Sequence, residues 1–439
     1  MNNILLGCIA DDFTGATDLA NNLVRAGMRV VQTNGVPTQP LTTDVDAVVI
    51  ALKTRTIPCA DAIAQSLAAL KWLKDAGSQQ IYFKYCSTFD SWYGADSSEK
   101  RGNIGPVTEA LMEALDAAFT IATPAFPDNG RTVFKGHLFV GDVLLSESSM
   151  KTHPLTPMRD ANLVSVMQAQ CQRKVGLIDY RAVAAGADAV RNRIAELQHQ
   201  GIGIAIVDAV SNDDLMRLGS ALADLPLLTG GSGVAIGLPQ NFGINAKLAS
   251  QAAILPPAKG YKAVVSGSCS QATNAQVAAW QASGYPHKAL NLSAILGSDA
   301  AHRAEIQNVL SWAKPLLSSG PVLIYSTADA ASVKTTQSAL GSDATGARVE
   351  QALSAIAKGL VELGVQQLVL AGGETSGACV QALGVEQMQI GLQIDPGVPW
   401  CYGLSTQVGI NIHLTLKSGN FGSSDFFIKA FEQLKKAQE

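Results

Sequence analysis

The sequence has few charged residues and no excess of positive charge. Charged side chains make up 15% of its 439 residues, whereas typical soluble domains have roughly 25%. Because 47% of the residues are hydrophobic, this low charge excludes an intrinsically disordered chain. The net charge of -4 provides no basic surface of the kind that nucleic acids require, so we expect no nucleic-acid partner. A local basic pocket for a small anionic substrate stays open.

The chain also lacks paired cysteines and long apolar runs. Its seven cysteines are scattered without a CxxC pair, and its six histidines show no HExxH spacing. We therefore expect free thiols and no built-in metal site. The first residues include two aspartates and no basic segment, and no apolar run reaches the roughly 20 residues that span a bilayer. These absences predict a soluble, cytoplasmic protein without a membrane partner.

Three common catalytic motifs are absent as well. No GxxxxGK[ST] loop occurs, because the glycines at 341 and 346 are followed by Ala347 and Arg348, which lack the phosphate-binding lysine. No GxGxxG fingerprint follows a predicted strand, which argues against a rival function as an NAD-dependent hydroxyacid dehydrogenase. No GxSxG elbow is present, so a hydrolase triad has no support.

What the sequence does contain is a repeated order of apolar run, glycine-containing loop and helical stretch. The first case is the run 4–10, the loop 11–15 and the helical stretch 16–26. Other apolar runs predict strands at 29–33, 47–52, 80–85, 175–178, 202–207, 261–265, 322–325 and 367–370. Strands that alternate with helices indicate parallel βαβ units. Residues 132–145, interrupted by two glycines, predict hairpin-like β structure instead.

A pair of prolines marks a domain boundary. Pro256 and Pro257 precede the point where the αβ pattern restarts. The predicted fold class is α/β, with two domains, each built on a mainly parallel sheet flanked by helices, and a cleft between them. The predicted domains are residues 1–245 and 261–439, joined by a linker at 246–260. Residues 328–346, rich in Ala, Ser, Thr and Gly, predict a mobile surface connection.

Polar residues follow two of the predicted strands in the first half. Asp11, Asp12 and Thr14 come directly after the first strand, and ligands of open α/β sheets bind at the carboxyl ends of strands. A carboxylate there can deprotonate a hydroxyl, bind a hydroxylated substrate, hold a metal, or only cap the next helix. Two adjacent aspartates exceed what one cap needs, which favours a functional carboxylate. Lys84 and Ser87 end another apolar run, where a lysine pairs with a substrate carboxylate or phosphate, or extends into solvent.

The second half contains glycine-rich turns between predicted strands and helices. They are Ser266–Ser268 and Gly372–Thr375, and a third glycine-rich stretch lies at Lys417–Gly422. Small residues admit a ligand close to the backbone, and helix N-termini favour phosphates. One such turn is an ordinary capped turn as often as not, whereas two in one domain indicate a nucleotide site. Glu374 is placed to approach a metal or a ribose.

Taken in order, these motifs resemble those of the four-carbon acid sugar kinases. The resemblance rests on the segments IADDFTGA at 9–16, KYCSTFD at 84–90, GNIG at 102–105, PLTPM at 154–158, GSG at 231–233, SGS at 266–268, AGGETSG at 371–377 and KSGNFG at 417–422. Each segment is short, but the ordered set is specific and spans nearly the whole chain. Residues 92–101 are a longer insert than the family pattern has, and we expect it on the surface as a lid beside the substrate site.

The resemblance implies an N-terminal domain that binds an acid sugar and a C-terminal domain that binds ATP. It implies phosphorylation of the terminal hydroxyl of a four-carbon sugar acid by ATP with Mg2+. The expected acid is 3-oxo-tetronate, with D-threonate and D-erythronate as alternatives. The ATP contacts that it assigns are Ser266, Gly372, Gly373, Glu374, Thr375 and Gly419.

In the first domain, Asp12 is the predicted catalytic carboxylate, as base or orienter. The predicted substrate contacts are Asp11, Thr14, Lys84, Ser87 and Arg101. A sugar-acid-binding protein without catalysis is the rival from another class, and the additional glycine-rich turns argue against it. The stereoisomer of the acid and the oligomeric state, a homodimer among the options, do not follow from the sequence.

Overall fold

The computed structural model describes residues 4–38, 41, 44–90, 92–93, 100–152, 156–326 and 342–436. The chain divides into two compact units, Met1–Ala253 and Ile254–Glu439. The division falls inside the segment 246–260 that the sequence predicts as the linker, and residues 246–252 form short helical turns. None of the described helices is long and apolar enough to cross a membrane.

The first unit alternates strands and helices, followed along the chain by a small antiparallel sheet and further αβ elements. Its strands are β1 (Leu6–Ala10), β2 (Val30–Asn34), β3 (Ala47–Ala51), β4 (Gln80–Lys84), β5 (Trp92–Tyr93), β6 (Lys100–Arg101), β7 (Thr120–Thr123), β8 (Arg131–Phe134), β9 (His137–Val140), β10 (Val143–Leu144), β11 (Lys174–Ile178), β12 (Ile202–Val207) and β13 (Leu227–Gly230). Its α-helices are α1 (Phe13–Arg25), α2 (Cys59–Asp75), α3 (Ile104–Ala114), α4 (Leu163–Gln168), α5 (Tyr180–Ala184), α6 (Ala187–His199), α7 (Asn212–Ala221) and α8 (Ala249–Ala252).

The main sheet of this unit is parallel throughout, as the sequence predicts. Its order is β11-β12-β7-β13-β4-β1-β3-β2. Strand β1 is buried along its whole length, as expected of a central strand with helices on both faces. The register pairs Ala10 with Ala51 of β3 and with Lys84 of β4. The residues that follow these three strands therefore reach the same edge of the sheet.

Residues 131–144 form the antiparallel sheet β10-β9-β8, which confirms the predicted hairpin. The carboxylate of Asp208, just after β12, accepts hydrogen bonds from the backbone N–H groups of Lys135 (2.7 Å), Gly136 (2.8 Å) and Tyr180 (2.9 Å). These bonds fix the hairpin at the carboxyl edge of the main sheet. The ends of the predicted lid form the short antiparallel pair β5-β6, and residues 94–99 lie outside the described residues.

The second unit is again an α/β layer structure. Its strands are β14 (Tyr261–Ser266), β15 (His287–Ala289), β16 (Val322–Tyr325), β17 (Val365–Ala371), β18 (Gln387–Asp395), β19 (Val398–Ser405) and β20 (Ile410–Lys417). Its α-helices are α9 (Gln271–Ala282), α10 (Leu292–Leu296), α11 (Asp299–Leu316), α12 (Ser342–Glu362), α13 (Gly373–Leu383) and α14 (Phe426–Lys436). Residues 327–341, most of the predicted mobile connection, lie outside the described residues.

The sheet of the second unit mixes two kinds of pairing. Its order is β18-β19-β20-β17-β14-β16-β15, parallel from β20 to β15 and antiparallel from β18 to β20. Helix α14 buries one apolar face, including Phe427 and Phe431, in a core with Trp280 and Trp400. Each such aromatic side chain stabilises the fold by about 1.5–3 kcal/mol. The parallel strands β14 and β17 pack in this core, and the glycine-rich turns follow their carboxyl ends.

Candidate functional site

Asp12 caps helix α1 at the carboxyl edge of the first sheet. Its carboxylate accepts hydrogen bonds from the backbone N–H of Gly15 (3.2 Å) and from the hydroxyl of Thr14 (2.8 Å). The capping role that the sequence left open is therefore real. Capping is not the only role of this carboxylate, because the same side chain also contacts a cation.

That cation is Arg55, which the sequence analysis did not single out. Its guanidinium donates two hydrogen bonds of 2.9 Å to Asp11 and one of 2.6 Å to Asp12. Asp90 lies 3.8 Å away from it. A planar guanidinium binds a carboxylate through two parallel bonds, which fixes its orientation. Arg55 follows β3, the strand next to β1. The criterion that selects Asp11, a polar residue close after an apolar run, therefore also selects Arg55.

Asn103 holds the loop that carries Arg55. Its side-chain amide donates to the backbone carbonyls of Thr54 (2.7 Å) and Ile57 (2.9 Å), and lies 3.3 Å from that of Arg55. The amide has two N–H groups, so both can be used at once. Asn103 belongs to the GNIG motif, and its structural part is to position Arg55.

Lys84 lies beside Asp12 and not in solvent. Its residue is 2% exposed, so the predicted alternative of a lysine extending into solvent is wrong. Its Nζ is 2.8 Å from the place that a Cβ on Gly15 would occupy, and that Cβ would also collide with Asp12. Glycine at position 15 therefore leaves the room in which Lys84 approaches the start of α1.

Two of the carboxylates near Lys84, Asp12 and Asp18, have opposite pKa shifts. Burial by itself would raise the pKa of Asp12, but Arg55 and Lys84 lower it to about 2. Burial raises the pKa of Asp18, in the second turn of α1, to about 6, although Lys84 and a hydrogen bond from Ser232 act against this rise. Asp12 is therefore ionised at neutral pH and is a weak proton acceptor. Of the two roles predicted for it, this favours the orienter.

The other predicted substrate contacts are placed less completely. Ser87 is half-buried in the loop after β4, and among the described contacts it makes no hydrogen bond to Asp11 or Asp12. In the same loop, Phe89 adopts a left-handed backbone with φ 54, and its ring packs 5.3 Å from that of Tyr85. The backbone of Arg101 lies in β6, and its side chain is outside the described part of the structure.

The glycine-rich turns of the second unit meet around one cavity of about 320 Å³. Residues of both turns line it, among them Gly267, Ser268, Gly372 and Thr375. A Cβ on Gly267 would collide with the hydroxyl of Thr375, so the two turns touch. Cavities that bind small ligands have volumes of roughly 300–1,000 Å³.

The walls of this cavity differ in chemistry. Its lining includes the apolar side chains of Leu292, Leu296 and Val349. It also includes small residues and the start of helix α13 at Gly373. Gly372 has φ 121, a conformation that favours glycine. An apolar wall suits a planar base, and the free N–H groups of a helix N-terminus suit phosphates, so the cavity fits a nucleotide.

Lys417 and the stretch after it lie next to the first turn. Lys417 is fully buried and donates from Nζ to the hydroxyl of Thr273 (3.0 Å) and to backbone carbonyls of the loop 418–421. A Cβ on Gly419 would lie 2.5 Å from the hydroxyl of Ser268. Ser266 ends β14 just before this turn. The structure therefore brings the predicted ATP contacts into one region, with Glu374 exposed at its rim.

Comparison with known proteins covers both units. Residues 6–238 match a sugar-binding N-terminal domain, and residues 263–427 match a nucleotide-binding C-terminal domain. The chain is 57% identical over 435 residues to the 3-oxo-tetronate kinase of Burkholderia multivorans, covering 99% of this chain and 98% of that protein. It is 56% identical over 440 residues to the 3-oxo-tetronate kinase of Pseudomonas savastanoi pv. phaseolicola, with the same two coverages.

Solved structures show the same similarity in three dimensions. A Salmonella typhimurium LT2 protein of known crystal structure superposes with a TM-score of 0.86 at 43% identity, over 98% of this chain and 99% of that one. A Haemophilus influenzae protein superposes with a TM-score of 0.76 at 46% identity, over 98% and 100% of the two chains. Together with the matched domains, these likenesses show that the chain belongs to the four-carbon acid sugar kinase family.

Proposed function

We propose that the protein transfers the γ-phosphate of ATP to the C4 hydroxyl of 3-oxo-tetronate, which yields 3-oxo-tetronate 4-phosphate and ADP. The names of the two relatives support the choice of acid. The observation that carries the proposal is the cluster of Asp12, Arg55 and Lys84 at the edge of the first sheet. A buried cation beside a locked carboxylate suits a substrate that has both an acid group and hydroxyls.

In this proposal the first unit binds and aligns the acid. Lys84 pairs with the substrate carboxylate, and ionised Asp12 accepts a hydrogen bond from the C4 hydroxyl, which turns its oxygen toward the phosphate. Arg55 keeps Asp12 in place. The remaining substrate contacts are assigned to Asp11, Thr14, Ser87 and Arg101.

Phosphoryl transfer asks mainly for such positioning and for neutralisation of charge. The hydroxyl oxygen forms a bond to the γ-phosphorus while the bond to the bridging oxygen of ADP breaks. In a loose transition state the hydroxyl loses its proton late. An acceptor as weak as Asp12, with a pKa of about 2, is compatible with that order.

ATP is assigned to the cavity of the second unit, with contacts to Ser266, Gly372–Thr375 and Gly419. Among the described residues, no group of three or more His, Cys, Asp or Glu side chains is placed to hold a metal ion. Mg2+ commonly binds through substrate phosphates, waters and one or two carboxylates, and exposed Glu374 could supply one. When bound, this ion neutralises phosphate charge.

The experiment that tests the proposal is an ADP-release assay with Mg-ATP and a panel of acids: 3-oxo-tetronate and both enantiomers of threonate and erythronate. We expect kcat/KM for the oxo acid to exceed the others by at least about tenfold, the equivalent of about 1.4 kcal/mol in the transition state. A preference for threonate or erythronate would move the substrate within the family. No turnover with any acid, despite measurable ATP binding, would overturn the proposed reaction.

A further inference from the structure

The ammonium group of Lys417 gathers backbone carbonyls from a single short loop. Its Nζ lies 3.0 Å from the carbonyl oxygen of Ser418, 3.1 Å from that of Gly419 and 3.2 Å from that of Phe421. The residue is 0% exposed. A charge buried this deeply is costly unless it is well hydrogen-bonded, and here all of its described partners are neutral oxygens.

Helix α9 joins the same arrangement. The hydroxyl of Thr273 accepts from Lys417 at 3.0 Å and donates to the carbonyl of Gly419 at 2.8 Å. Ser270, the N-cap of α9, also donates to that carbonyl. The Gly419 carbonyl is thus held by three donors, and its peptide plane is fixed against the start of α9.

The directions of these carbonyl groups also fix the directions of the N–H groups in the same peptides. Among the described residues every peptide bond is trans, and in a planar trans peptide the N–H of the next residue points opposite to the carbonyl. Carbonyls of 418, 419 and 421 that point toward Lys417 therefore direct the N–H groups of Gly419, Asn420 and Gly422 away from it. None of these three groups donates a hydrogen bond within the described part of the chain.

We propose that Lys417 is a positioning residue that builds a phosphate-binding loop from behind, without touching the phosphate. The N–H of Gly419 is one of these outward donors, and unused backbone N–H groups are donors that phosphates accept. Gly419 lies beside Ser268, which lines the nucleotide cavity. This assignment rests on the proposed nucleotide site, and it names the residue that gives the last glycine-rich stretch its shape.

The protonation of Lys417 offers a second signature. Burial lowers the pKa of Lys417 to about 7, and no charged side chain is among its described contacts from α9, β20 or the loop. A polyphosphate nearby favours the charged amine, so nucleotide binding raises this pKa. Affinity for the nucleotide then falls as the pH rises above 7, because binding must take up a proton.

The test compares binding of ADP and of adenosine, which has no phosphate, to the full-length protein. Lys417→Met keeps the length of the side chain and removes the hydrogen bonds that Nζ donates to three carbonyls of the loop. We expect it to weaken ADP binding at least tenfold at neutral pH and to leave adenosine binding within about twofold of the wild type. Lys314→Met, at an exposed lysine of the same unit, is the matched control and should change neither affinity.

The pH dependence of the wild type needs no variant. Between about pH 7.5 and 9, where the terminal phosphate of ADP no longer titrates, ADP affinity should fall about threefold if binding raises the pKa of Lys417 from about 7 by one unit, and more for a larger rise. Lys417→Met should lack this fall. Equal ADP affinity of wild type and Lys417→Met would overturn the inference, and so would a pH-independent wild-type affinity. A wild type that binds no ADP at all would instead overturn the proposed function.

Discussion

At the scale of single residues, two cations, Arg55 and Lys84, interact with several carboxylates in the first site. Arg55 contacts Asp11, Asp12 and Asp90, and Lys84 influences Asp12 and Asp18. Ionised carboxylates this close together repel one another unless cations separate them. Two consequences can be measured, one on catalysis and one on stability.

Replacing Arg55 by lysine keeps the charge but loses the two parallel bonds to Asp11. We expect kcat to fall at least tenfold for Arg55→Lys, because Asp12 is no longer fixed. Because lysine keeps the positive charge that lowers the pKa of Asp12, the acid limb of the kcat profile should stay near its wild-type position. Steady-state kinetics across the acid range measures both kcat and its pH dependence.

Arg29→Lys is the matched control, since Arg29 forms exposed ion pairs with Asp44 and Asp46. Surface pairs of this kind contribute roughly 0–1 kcal/mol, and kcat should stay unchanged. If Arg55→Lys has the same kinetics as this control, Arg55 does not organise the site.

Asp18 is a carboxylate whose ionisation works against the fold. Its Oδ1 atom is buried, with no hydrogen-bond partner among the described residues. Its folded pKa of about 6 lies above the ordinary 3.8, so the stability that its protonated form contributes is present below pH 3.8 and lost as the pH rises through about 6. The loss at pH 8 is about 3 kcal/mol by linkage.

Asp18→Asn should therefore be more stable than the wild type by about 3 kcal/mol at pH 8 and by about half of that at pH 5. Asparagine keeps an oxygen that accepts the hydrogen bond from Ser232 and removes the charge. Urea unfolding at the two pH values measures the difference. A variant that is less stable at pH 8 would show that Lys84 and Arg131 stabilise the ionised form more than burial penalises it.

At the scale of elements, the ends of strands and the beginnings of helices decide where chemistry can occur. Strand β1 leads into α1 through Asp12 and Gly15, and Lys84 at the end of β4 occupies the space above that glycine. The junction between strand and helix is thus part of the proposed acid site and not only a turn.

Gly15→Ala tests this junction. Alanine is a good helix former, so α1 should persist, but its Cβ would collide with the carboxylate of Asp12 and lie 2.8 Å from Nζ of Lys84, which displaces both. We expect kcat/KM for the acid to fall at least tenfold, with KM for ATP unchanged, because a small displacement in positioning is costly. Gly320→Ala, where a Cβ would meet nothing within 4 Å, is the control. If Gly15→Ala has the same kinetics as this control, Lys84 does not take part in substrate binding.

Some of these elements could be predicted from local sequence patterns and others could not. Buried parallel strands are nearly continuous apolar runs, so β1, β3 and β14 were predictable, as were the turns after them. The antiparallel strands β18 to β20 have mixed burial and gave no such run. The contacts of Lys417 join residues up to 144 positions apart, and no local pattern contains that information.

At the scale of the whole molecule, a chain with net charge -4 is proposed to bind two anionic substrates. Its relevant cations are few and lie inside the two units: Arg55 and Lys84 in the first, Lys417 in the second. The average charge argues only about the surface, where it predicts no nucleic-acid partner, and it has no bearing on these local sites. Family membership, established along both units, agrees with this division between a sugar-binding and a nucleotide-binding part.

The central claim is that Asp12, held by Arg55 beside Lys84, aligns the acid for phosphoryl transfer. It is tested most directly by steady-state ADP release from 3-oxo-tetronate and Mg-ATP by the wild type and Asp12→Asn, whose asparagine can still cap α1. We predict a fall in kcat of about 10²–10⁴, with KM for ATP within about twofold of the wild type. Unchanged turnover by Asp12→Asn would contradict it.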